Sequence, residues 1–218
     1  MGEVQARGIN FHVQRLGGPS DRTVVFLHGL VMDNLSSWYF TAANPMAERA
    51  EVLLYDLRGH GRTQRSESGY TVPEMVEDLA ALLDACEVDR PVHLVGNSFG
   101  GLLAIAFALA HPERAASLVL VDAHISDEGW GAEMAGTLSL EGDERNAMIA
   151  ESFKHWLGRR SERKRNKLAR AAEALVYETS LVADLQASEP FSEAGLSALP
   201  CPALAIYGQE SDVLDRGL

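Results

Sequence analysis

The sequence predicts an α/β fold: a mostly parallel β-sheet with helices on both faces and a helical segment inserted late in the chain. Three observations carry this prediction. Short β-rich runs alternate with helical stretches, the order that right-handed βαβ crossovers produce. From Val24 onward the runs are continuously apolar, as strands buried on both faces are, instead of alternating. Between Ala123 and Pro190 no strand candidate occurs, and the composition there turns helical, charged and aromatic.

In chain order the strand candidates are INFHVQRL (9–16), TVVFLHG (23–29), EVLLYDL (51–57), PVHLVGN (91–97), ASLVLVD (116–122) and PALAIYG (202–208). The stretch PEMVEDLAALLDAC (73–86) has Pro in its first turn and one apolar stripe formed by Met75, Val76, Leu79, Leu82 and Leu83, which predicts an amphipathic helix. Residues 98–110 predict a second, more apolar helix. The resulting organisation is one core, 1–123 and 191–218, interrupted by a helical cap at 124–190. In such sheets ligand groups gather at the carboxyl ends of the strands.

A chain of 218 residues with 46% hydrophobic and 23% charged content fits one such domain better than two. The net charge of -12 argues against nucleic acid or an anionic membrane as partner, because both are bound by neutralising phosphates with Lys and Arg. Cys86 and Cys201 have neither CxxC nor metal-ligand spacing, which favours a reduced, cytoplasmic protein. The amino terminus has no secretory pattern, and no apolar run approaches the ~18 residues of a membrane helix. The segment GRRSERKRNKLAR (158–170) holds seven of the 19 basic residues, either as a solvated helix face or as a docking patch for an acidic partner.

The stretch LVGNSFGGLLA (94–104) carries the chemistry. Gly96-Asn97-Ser98-Phe99-Gly100 fits G-x-S-x-G, directly after a buried strand and directly before a helix. A sharp turn there strains the serine backbone and exposes its hydroxyl, with glycines where side chains would meet strand or helix. Ser98 then stands at a helix N-terminus, where free N–H groups favour developing negative charge. A tetrahedral intermediate needs oxyanion donors, and the candidates are the backbone N–H groups of Phe99 and of Leu30, in the loop after VVFLHG. His28, fixed beside Gly29 at a strand end, reads as a residue that bonds backbone and shapes this loop.

These motifs together resemble the α/β-hydrolase family. FLHGL is similar to its oxyanion loop, LYDLRGHGRT (54–63) to its Asp-x-Arg-Gly-x-Gly turn, VGNSFGG to its nucleophile elbow, AHPERAASLVLVD (110–122) to the next helix end and strand, and CPALAIYGQESD (201–212) to the strand that delivers the acid. The resemblance implies a serine hydrolase with a Ser, acid, His order along the chain. It implies a structural role for Asp56, Arg58 and His60. It places the acid at Asp212, with Asp122 as the alternative and Glu210 as a lesser one. The histidine should follow another helix and strand, which take about 16 residues together. Only residues 213–218 follow Asp212. The expectation is therefore that the catalytic His lies past Leu218, that the last strand and helix are missing, and that the exposed edge left behind favours a homodimer. His124 is the nearest alternative base within the chain.

The substrate expected is a small or medium acyl ester or thioester held under the cap, with Asn97, Trp130 and Trp156 at the acyl site and no metal or organic cofactor. The basic run would suit an acyl-carrier protein as partner. GNSFGG also resembles the carbon–carbon bond hydrolases of meta-cleavage products, although HGLVMDNLSSW lacks their Gly-Pro-Gly. A non-catalytic binding protein of the same fold is the alternative of another class.

Overall fold

The computed structural model describes residues 2–18, 20–140, 144, 162–211 and 213–214. Its strands are β1 (Gly2–Ala6), β2 (Ile9–Leu16), β3 (Thr23–Leu27), β4 (Glu51–Tyr55), β5 (Val92–Asn97), β6 (Ala115–Val121) and β7 (Ala203–Ile206). They form one sheet in the order β1-β2-β4-β3-β5-β6-β7. From β4 to β7 every pairing is parallel, whereas β2 runs antiparallel to both β1 and β4. β3 lies between β4 on one side and β5 on the other, so the winding reverses there. The carboxyl ends of β3 and β5 flank that reversal, where open α/β sheets place ligands.

The central strands are buried on both faces, which is why their sequences do not alternate. Val24, Phe26, Val52 and Leu54 pack with Leu35 and Ala43 on one face. Val25, Leu27, Leu53 and Leu94 face the other, larger core. That core is closed by α1 (Val72–Ala85) and α2 (Phe99–Ala110). Thr71 caps α1 by accepting the Glu74 N–H at 3.3 Å. The remaining longer helices, α3 (Trp130–Leu138), α4 (Glu162–Tyr177), α5 (Leu181–Gln186) and α6 (Glu193–Ser197), all lie between β6 and β7, and no strand occurs there among the described residues. Asp184 on α5 accepts the Tyr70 N–H at 2.8 Å and so ties this segment to the loop before α1. Among the described residues no helix is long and apolar enough to cross a membrane.

Three features depart from the sequence expectation. β1 was not anticipated, because GEVQA has a single large apolar residue; Arg7 and Gly8, at φ +47° and +77°, close it onto β2 as a two-residue hairpin turn does. Residues 36–46 form consecutive short helical turns that cover one sheet face. β7 is exposed along its whole length, not buried, with Leu204 57% and Ile206 48% accessible. The reason is positional: among the described residues β7 pairs with β6 alone, and no described helix lies over it as α2 lies over β5.

Candidate active site

Ser98 sits between β5 and α2 at φ +51°, ψ −122°, a conformation that costs a non-glycine residue energy and persists only when its surroundings enforce it. The enforcement is visible. The Ser98 N–H donates to Val121 O at 3.0 Å, and the Ser98 carbonyl accepts from His124 N–H at 3.2 Å and Gly101 N–H at 3.0 Å. The glycines are dictated by close approach. A Cβ on Gly96 would stand 2.3 Å from Gly100 O, and one on Gly100 would stand 2.4 Å from Leu27 O. Any side chain at either position would separate α2 from the strands it packs against.

The loop after β3 approaches the same serine. A Cβ on Gly29 would lie 3.3 Å from Asn97 Nδ2 and 3.6 Å from Ser98 Cβ. Gly29 thus keeps this approach uncrowded, while the left-handed residue of the loop is Val31, at φ +64°. The His28 Nδ1–H donates to Gly29 O at 2.7 Å and its Nε2 accepts the Leu57 N–H at 2.9 Å, so both ring nitrogens serve backbone. His60 repeats the pattern, with Nδ1–H on Arg58 O at 2.7 Å and Nε2 on Val31 N–H at 2.8 Å. Asp33 accepts the Gly29 N–H at 2.9 Å. Among the described residues the N–H groups of Leu30 and Phe99 have no protein acceptor. For Phe99 this follows from its place as the first residue of α2.

The turn after β4 is built as a brace. Asp56 accepts from Leu35 N–H, Arg62 N–H and His12 Nδ1 at 2.8, 2.9 and 2.8 Å, and Gly61 leaves room for its carboxylate. Arg58 makes a bidentate pair with Asp78 at 2.8 and 2.6 Å, and Asp78 is only 2% exposed.

Asn97 and Phe99 flank Ser98, and the Asn97 Oδ1 is buried without a hydrogen-bond partner among the described residues. Trp130 is 1% exposed and stacks on Phe99 with ring centroids 6.2 Å apart, one layer behind the elbow. His124 follows the end of β6, its ring centroid 6.0 Å from that of Trp130. Asp122 follows β6 at φ +43°, and its carboxylate accepts the Gly208 N–H at 2.9 Å beyond β7. Asp212, Trp156, Arg159 and Arg160 lie outside the described residues. Arg163 and Arg165 fall on α4. Sequence reasoning did not single out Asp33; the available signal was a carboxylate four residues after the strand-end glycine.

A strained serine at a strand-to-helix turn, facing a glycine loop at the switch point of a parallel sheet, defines a nucleophile-elbow protein. The chain belongs to the α/β-hydrolase family: the model of the α/β hydrolase fold matches residues 22–201. Among curated proteins it is 41% identical over 125 residues to 2-hydroxy-6-oxo-2,4-heptadienoate hydrolase of Pseudomonas putida, covering 55% of this chain and 43% of that one. It is 37% identical over 121 residues to lipase LipV of Mycobacterium tuberculosis, covering 56% and 44%. The chain thus spans less than half the length of these curated relatives in the matched region. Among solved structures, that of Est816, described as an N-acyl homoserine lactone degrading enzyme, superposes with a TM-score of 0.70 at 28% identity, over 96% of this chain and 82% of that one.

Proposed function

We propose that the protein is a serine hydrolase that cleaves an ester or thioester through an acyl-enzyme on Ser98. The observation that carries the reading is the backbone of Ser98, held at φ +51° between β5 and α2 with glycines at every point of close approach. In the proposed reaction the Ser98 hydroxyl oxygen attacks the acyl carbonyl as its proton passes to a histidine base. The N–H groups of Leu30 and Phe99 receive the oxyanion. The alcohol or thiol leaves with that proton, and water then releases the acid from Ser98. Asp212 is the proposed orienter of the base, with Asp122 as the competing carboxylate. Asn97 and Trp130, the latter through Phe99, shape the acyl site beneath the helices of residues 124–190, which act as the cap.

A fluorophosphonate probe is expected to label the full-length protein at Ser98 and to leave Ser98→Ala unlabelled. Ester turnover should fall about 10⁶-fold in the same variant. Failure of the wild type to label overturns the nucleophile and leaves a non-catalytic binder of the same fold. A second reading, hydrolysis of a carbon–carbon bond in a vinylogous diketone, is favoured by the identity to the Pseudomonas putida hydrolase and by GNSFGG. Assaying a p-nitrophenyl acyl ester beside a ring-cleavage dienoate separates the two: the higher kcat/KM identifies the substrate class.

A further inference from the structure

Three consecutive amides follow His28, and the structure treats them unequally. The Gly29 N–H is taken by Asp33 Oδ2 at 2.9 Å and the Val31 N–H by His60 Nε2 at 2.8 Å. The N–H between them, on Leu30, has no protein acceptor among the described residues. Neither outer acceptor is loose. Asp33 also accepts the Asn34 N–H at 2.8 Å and the Ser37 hydroxyl. His60 is oriented by Arg58 O, and Arg58 is in turn fixed by its bidentate pair with Asp78.

Two further facts make these bonds necessary. Val31 is β-branched and sits at φ +64°, where such a side chain is disfavoured, so the loop relaxes unless it is held. Val31 is only partly buried against the core, and with Asp33 and His60 it borders a cavity of about 330 Å³ together with Tyr39 and Leu168, so on this side the loop is held by these hydrogen bonds as well as by packing.

We propose that Asp33 and His60 are positioning residues of the oxyanion site, a pair of clamps that engage the amides on either side of Leu30 and reserve the Leu30 N–H for the reacting carbonyl. This rests on the reading of Ser98 as nucleophile. Neither residue touches the substrate. Each acts by keeping one donor in register, and a displacement of the order of 1 Å at a reacting centre costs about 10²-fold in rate.

The test compares wild type with His60→Ala, His60→Gln, Asp33→Ala and Asp33→Asn. It uses a phenylboronic acid, which forms a tetrahedral anionic adduct on an activated serine, and kcat and KM on a p-nitrophenyl ester. The alanine variants are expected to bind the boronate about 10²-fold more weakly and to lose kcat by a similar factor at unchanged KM. His60→Gln, which keeps an acceptor in place, should recover most of both, and Asp33→Asn, which keeps one of the two acceptor oxygens that Asp33 uses, should recover part. Simple destabilisation would lower the melting temperature without this split between kcat and KM or the rescue. If His60→Ala fails to fold, the Asp33 pair decides by the same readouts. Alanine variants that match wild type in boronate affinity overturn the clamp while leaving Ser98 intact. A wild type that binds no boronate overturns the nucleophile reading and the clamp together.

Discussion

His60 can accept the Val31 N–H only while its ring is neutral, and its setting keeps it so. Burial pushes its pKa down to about 3, and neighbouring His28 pushes the same way; the bond to Arg58 O and the charges of Asp56 and Asp33 oppose this without reversing it. A histidine in the unfolded chain titrates near 6.5. The folded protein therefore binds fewer protons than the unfolded chain between those two values. The stability tied to neutral His60 is complete above about pH 6.5 and is lost progressively as pH falls towards 3. Urea midpoints measured from pH 7 to pH 4 should fall more steeply for wild type than for His60→Gln, which has no proton to gain. Parallel curves would show that His60 does not contribute. The residue was legible in the sequence as part of a structural turn. Its partner was not, because Val31 lies 29 positions earlier and only the fold brings them together.

Among the elements, the turn from β5 into α2 was the most legible, since its glycines are forced by contacts within a few residues. Gly100→Ala tests this directly. The added methyl would meet Leu27 O and His28 O, both backbone atoms that cannot rotate away. The helix must then shift off β3, at a cost of about 1–3 kcal/mol. Fluorophosphonate labelling of Ser98 is expected to fall sharply while the variant still melts cooperatively; unchanged labelling would mean that the elbow tolerates a wider helix packing. The helix at Val72–Ala85 was equally clear from its stripe and its proline. The helical turns over residues 36–46 were not, because each turn is too short to show a period.

For the whole molecule, the order of apolar runs was enough to derive a mostly parallel sheet with helices. It was not enough to say which runs are covered. ALAI at β7 has the composition of a buried strand, yet Leu204 and Ile206 face outward. Apolar composition records that a segment pairs as a strand, whereas burial depends on what lies over it.

The hydrogen bonds that fix Ser98 carry a consequence for how the protein is made. Its N–H is held by Val121 and its carbonyl by His124, both supplied by chain that is synthesised later. As the polypeptide emerges from its amino terminus, the serine has no reason to adopt its strained backbone until β6 has arrived and paired with β5. The strained turn is thus deferred: the nascent chain passes through its exposed early stages with Ser98 in an ordinary conformation, and the turn forms only after the centre of the sheet has closed.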